Sequence, residues 1–186
     1  MARVELTTNR KGAIAELAIA KAALEHGIQV YRPVAEGGRY DLIFGFAATV
    51  LRVQCKLAPL LGGAIVVRCF SSRRSRTGFV RSPYTNDELD AFALYCPELE
   101  RSYLIPFAAT GGSPELRLRV FPAGNNQRRG IRLASDFEFA ATLRRLSPGP
   151  IAQLGERRAG SAKVAGSSPA GSIRLLPSIA PLVSVI

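Results

Sequence analysis

The aromatic residues of this chain stop well short of its end. All 14 Phe and Tyr lie within the first 146 of 186 residues, and there is no Trp. The last 40 residues hold no aromatic ring, and 17 of them are Gly, Pro or Ser. A stretch of that composition buries little and interrupts any helix repeatedly. The division predicts one folded domain over residues 1–146, enough for a single hydrophobic core, and a loose, disordered tail over 147–186. The closing run of the tail, IAPLVSVI, is apolar but short. No internal repeat is visible.

The charge points outward to a partner. The formal net charge is +11, and 21 of the 25 basic residues are Arg. Arginine presents a planar fork of donors that suits phosphates and guanine edges, so a polyanion is the expected partner. Other classes are disfavoured. The three cysteines, Cys55, Cys69 and Cys96, are widely spaced with no CxxC pair, which argues against a disulfide framework or a structural zinc and suits a reducing cytoplasm. The single histidine, His26, leaves almost nothing for a His-ligated zinc or a nuclease of the His-Asn-His type. The opening MARVELTTNRKG is too polar for a signal peptide, and no run of ~18 apolar residues is present to span a membrane. The expected location is cytoplasmic.

Periodicity predicts a helix over about 9–26, with Ala13, Leu17, Ala20 and Leu24 as its apolar stripe, Glu16 at the stripe's edge and Gly27 as the stop. Strands are expected at 28–34, 40–46, 49–57 and 63–70, joined as a meander. An arginine-rich loop follows over 71–84. Thr85 and Glu88 form a capping box for a second helix reaching about Tyr95. Two more strands, 101–107 and 116–121, precede a last helix over 136–146 capped by Ser135. This order is an α/β or α+β pattern.

One constellation could do chemistry. Asp41 begins one expected strand, and Gln54 and Lys56 lie on the next, where the period of two turns both to one face. Seven residues separate Asp41 from that second strand, enough for antiparallel pairing. Glu16 can look at the same point from the helix. Phosphodiester hydrolysis needs such a set. A hard divalent cation, Mg²⁺ or Mn²⁺, takes oxygen ligands. Asp41 would be the main one, helped by the Gln54 side-chain oxygen and the Cys55 backbone carbonyl, with Glu16 holding water on the ion. The ion would neutralise the scissile phosphate and acidify a water, while Lys56 orients that water or stabilises charge developing on phosphorus.

These residues also carry a resemblance. Asn9-Arg10-Lys11-Gly12-Ala13-Ile14-Ala15-Glu16, then Arg39-Tyr40-Asp41-Leu42 and Val53-Gln54-Cys55-Lys56, resemble the PD-(D/E)XK nuclease superfamily, and within it the homing endonucleases encoded in group I introns. Asn86 to Phe92, Tyr95-Cys96-Pro97, Ser102 to Pro106, Asn125-Asn126-Gln127, Gly130-Ile131 and Asp136 to Phe139 continue it, so that it covers about 7–140. The resemblance implies a restriction-endonuclease-like core, a central mixed sheet flanked by helices, and a metal-dependent, site-specific DNA endonuclease. Two positions depart from the superfamily pattern. Tyr40 stands where Pro is usual, a turn residue whose loss is harmless. Gln54 stands where Asp or Glu is usual, which removes one negative charge from the metal site; the intron-encoded branch is similar there, and Glu16 could supply part of the missing charge. The tail adds a clue at the nucleotide level. Residues 150–172, and Gly166-Ser167-Ser168-Pro169-Ala170 in particular, are similar to a transfer-RNA gene translated by accident.

For holding DNA, the candidates are Arg73, Arg74, Arg76 and Arg81 in the basic loop, with Arg68 beside it. Arg10 and Lys11 sit next to a helix N-terminus, where free N–H groups suit phosphate. Asn125 and Gln127 could read adenine edges or simply form a turn. Tyr84, Phe92 and Tyr95 are expected as core or oligomer contacts. Cutting both strands of double-stranded DNA with one site per chain calls for a homo-oligomer, a dimer or a tetramer. Two alternatives stand beside this reading: a nuclease like a Holliday-junction resolvase, and a non-catalytic basic protein that assists intron RNA.

Overall fold

Thr7 caps the first helix, its side chain accepting from the Arg10 backbone N–H at 3.4 Å. The helix, α1 (Thr8–Glu25), closes at Gly27, whose φ of 74° suits a residue without Cβ. The computed structural model describes residues 6–35, 37–47, 49–76, 78–122 and 130–147. The tail beyond Ser147, and Asn125 and Gln127, therefore lie outside the described residues.

After α1 come β1 (Gln29–Tyr31), β2 (Leu42–Gly45), β3 (Val50–Leu57), β4 (Leu60–Leu61), β5 (Ala64–Arg68), β6 (Phe70–Ser75), β7 (Gly78–Pro83), β8 (Ala91–Cys96), β9 (Arg101–Pro106), β10 (Glu115–Arg119), β11 (Arg132–Leu133) and α2 (Phe139–Leu146). Five strands form the central sheet in the order β1-β2-β3-β8-β9. β3 runs parallel to β8 and every other pair in that sheet is antiparallel. The sheet is thus mixed, and the expected meander holds only for β1 to β3. A parallel partner needs a crossover, and this one carries β4 to β7.

One face of the central sheet packs on the helices through Ala15, Ile19, Ala23, Leu42, Phe44, Val53, Ala93, Phe139 and Leu143. Its other face packs on the four-stranded sheet β11-β10-β5-β4 through Ile65, Val67, Phe92, Leu94, Ile105, Leu116 and Leu118. Among the described residues, no helix is long and apolar enough to cross a membrane.

Three expectations fail in instructive ways. First, the buried face of α1 is Ala15-Ile19-Ala23, while Leu17 and Leu24 are 66% and 61% exposed. Small side chains let the helix lie close to the sheet, so bulk was the wrong guide. Second, the segment expected as a helix from Thr85 to Tyr95 is one turn followed by β8. The capping contact does form, with Glu88 Oε2 accepting from Thr85 N–H at 3.1 Å, but Ala91 to Leu94 are buried on both faces of a central strand. Third, the basic loop over 71–84 is a two-stranded antiparallel ribbon, β6–β7. In addition, Ser135 caps nothing: it lies within the 3-10 turn Ala134–Phe137, and Glu138 occupies the N-cap of α2.

An ion pair locks the crossover to the sheet. Arg52 on β3 donates to Asp90 from its backbone N–H at 2.7 Å, from Nε at 3.0 Å and from Nη2 at 2.9 Å, and it also reaches the Asn86 and Asp87 carbonyls. Burial opposes ionisation of Asp90, but these hydrogen bonds and the Arg52 charge outweigh it and hold the carboxyl below its ordinary 3.8. A carboxyl depressed on folding stabilises the fold at pH values above its unfolded pKa, and that contribution fades as pH falls through the folded value. Asp90→Ala is expected to cost about 2 kcal/mol at pH 7. The difference from wild type should shrink below about pH 4, as thermal melts of both proteins across pH would record.

Candidate active site

Asp41 immediately precedes β2, at the point where the partner strand β3 runs on past it. The Asp41 N–H donates to the Val53 carbonyl at 2.9 Å, and Leu42 pairs with Val53. β3 runs on for four residues beyond that pair, to Leu57. The Asp41 carboxylate turns onto this overhang. Its Oδ2 accepts from the Cys55 backbone N–H at 2.8 Å and from the Gln54 side-chain amide. In an extended strand the N–H and C=O of one residue point to one edge, so the Cys55 carbonyl lies on the same edge as Asp41. Its thiol is buried against the helices, and burial raises its pKa well above the usual range.

Glu16, Asp41, Gln54, Cys55 and Lys56 line one cleft, together with Lys11 and Arg68. The structure thus brings together the four side chains singled out from sequence. Glu16 is half-buried at the rim of the packed face of α1 and forms an ion pair with Arg32. Burial raises the Asp41 pKa, the Cys55 hydrogen bond lowers it, and the nearby Glu16 charge raises it again. The Lys56 pKa is lowered by burial, an effect that the Asp41 charge opposes.

This donor set fits a hard divalent cation. It offers two carboxylates, an amide oxygen and a backbone carbonyl, with no imidazole. Two like charges held near one another under partial burial call for a cation between them. With Gln54 in place of a third acid the set is lean in charge, and among the described residues no three His, Cys, Asp or Glu are grouped so as to hold a metal ion. The Gln54 amide now turns its N–H toward Asp41. Rotating that amide by ~180° exchanges donor for acceptor and would put its oxygen beside Asp41, where a cation needs it.

Three residues given no part in the site from sequence adjoin it. Arg32 holds Glu16. Tyr84, at the end of β7, places its hydroxyl 3.5 Å from Lys56 Nζ. Arg39 lies over the Tyr84 ring at 4.3 Å and pairs with Glu88 at 3.0 Å. These partners come from sequence separations no local pattern reports. Arg10 is exposed at the start of α1, and Arg73, Arg74, Arg76 and Arg81 are exposed on the ribbon.

The PD-(D/E)XK endonuclease family matches residues 6–140 of the chain. Among solved structures the chain is similar to the bacterial homing endonuclease I-Ssp6803I. That likeness has 27% identity and a TM-score of 0.59, and it covers 84% of this chain and all of that one. No curated protein matches.

Proposed function

The chain belongs to the PD-(D/E)XK endonuclease family and is a DNA endonuclease, and on that premise we propose that it is a metal-dependent, site-specific enzyme of intron homing. The observation that carries the site assignment is the convergence of Asp41, Gln54, Lys56 and Glu16 on one cleft. Asp41, the Gln54 side-chain oxygen, the Cys55 carbonyl and Glu16 would hold Mg²⁺ or Mn²⁺. When bound, that ion supplies charge neutralisation at the scissile phosphate and a more acidic water. Lys56 orients the attacking water and stabilises charge developing on phosphorus, and its partial burial strengthens that effect. Lys11 and Arg68 in the cleft, and Arg10 at the start of α1, grip flanking phosphates. The ribbon grips the duplex further out.

Homing as the biological role is supported by the likeness to a homing endonuclease and by the tail residues 150–172, similar to a translated transfer-RNA gene. On this reading, residues 147–186 contribute little to activity. The enzyme acts as a dimer or tetramer, because the described residues of each chain gather one such constellation and a duplex has two strands. Family membership sets aside the non-catalytic role in assisting intron RNA.

The test uses the DNA that flanks the reading frame, rejoined without the intron. The full chain with Mg²⁺ is expected to cut that duplex at one place, to leave the intron-containing DNA intact, and to stop when the metal is chelated. Indifference to the junction overturns homing. Preferential cutting of a four-way junction assigns the enzyme to junction resolution instead.

A further inference from the structure

Lys56 is the cation that shares a strand face with Gln54 beside Asp41, and a lysine has a long, flexible stem. Something must hold its ammonium in place. Asp41 acts through charge, but its Oδ2 is already occupied by the Cys55 N–H and the Gln54 amide. Tyr84 stands within hydrogen-bond reach of the ammonium. Its hydroxyl accepts from Lys56 Nζ at 3.5 Å, and the ammonium also lies 5.6 Å from the ring centroid, within cation–π range. Long contacts of this kind tighten in the complex with substrate.

The Tyr84 ring is itself fixed. It is buried, and it meets Phe92 of the central strand edge-on at 5.3 Å. Arg39 covers its face at 4.3 Å. The same Arg39 donates to Ser71 Oγ at 2.7 Å and to the Pro83 carbonyl, which are residues at the base of the β6–β7 ribbon. Tyr84 directly follows Pro83, the last residue of β7. One ring therefore touches the ammonium on one side and belongs to the root of the ribbon on the other.

We infer that Tyr84 is a positioning residue for Lys56, and that Arg39 clamps its ring so that the ribbon's root and the Lys56 ammonium form one rigid unit. The inference rests on the reading of Lys56 as the cation of the reacting centre. Tyr84 does not itself touch the scissile phosphate. Its effect passes through Lys56.

The test is single-turnover cleavage of the intronless duplex at saturating enzyme, beside DNA affinity in chelator and thermal melting, all on the full chain. Tyr84→Phe keeps the ring and its packing on Phe92 and removes only the hydroxyl. It is expected to slow cleavage about tenfold, the size of one charge-assisted hydrogen bond, with affinity unchanged within about twofold and melting unchanged. Tyr84→Leu should slow cleavage further, and the Phe variant counts as its partial rescue. Wild-type cleavage by Tyr84→Phe beside an inactive Lys56→Ala overturns this inference and leaves the site standing. Weaker DNA binding with the same saturated rate also overturns it, because Tyr84 is then a DNA contact. A slower rate accompanied by a lower melting temperature overturns it in favour of packing. Full cleavage by Lys56→Ala overturns the site reading, and this inference with it.

Discussion

Asp41→Ala is expected to lower the cleavage rate at least about a thousandfold while leaving DNA affinity within a few-fold of wild type. The argument starts from what Asp41 does in the fold. Its carboxylate receives two donors, the Cys55 N–H and the Gln54 amide, yet burial and the Glu16 charge both work against its ionisation. A charge kept in an unfavourable place serves something other than stability. Alanine leaves two donors without an acceptor, at about 1–3 kcal/mol for a buried group, so a cleavage defect could be blamed on unfolding. Asp41→Asn separates the two. The amide oxygen can still accept from Cys55, and the like charge facing Glu16 is gone. Asp41→Asn should therefore melt at or above the wild-type temperature and still fail to cut. Lys56→Ala should also stop cleavage and keep DNA binding. Full cleavage by any of these variants refutes the site assignment.

The convergence of the candidate side chains was legible in sequence because it rests on the most reliable pattern, the alternation of a strand. Gln54 and Lys56 must share a face once β3 exists, and the short link from Asp41 forces β2 alongside. Glu16 needed less luck than it seems. It borders the true buried face Ala15-Ile19-Ala23 as it bordered the stripe expected through Leu17, so its place in the cleft followed even from the wrong face. What failed was whatever depends on tertiary context. Ala91 to Cys96 have no alternation, and an apolar run of that length fits a helix or a doubly buried strand equally well; Thr85 and Glu88 then tipped the choice to helix. The ribbon sequence FSSRRS and GFVRSP is mostly polar, with β7 exposed throughout and β6 only half-buried at its ends, so no hydrophobic period marked it. Arg39, Tyr84 and Arg32 earn their places only through contacts made across the fold. The contact of Tyr84 with Lys56, for one, spans 28 positions.

Replacing Arg73, Arg74, Arg76 and Arg81 together with Ala is the second large effect expected. The register pairs Ser72 with Arg81 and Arg74 with Phe79, which puts Arg74 and Arg81 on one face of the ribbon; Arg73, paired with Val80, lies on the other. Arg81 is stacked over Phe70 at 5.0 Å, so its guanidinium is held ready. A two-stranded ribbon is of a size to enter the major groove, and arginines on both faces then reach both walls. Each phosphate contact contributes ~0.9 to the slope of log affinity against log salt. Losing four should flatten that slope by up to about 3.6 and weaken binding on the order of a hundredfold or more near physiological salt. Stability should hardly move, since every residue of β7 is exposed. Single variants sort the roles. An arginine on phosphate lowers the slope by about one and leaves sequence preference alone, whereas one on a guanine edge relaxes preference by about 1–3 kcal/mol at one base pair. An unchanged slope in the quadruple variant would move the duplex off the ribbon and onto Arg10, Lys11 and Arg68 around the cleft.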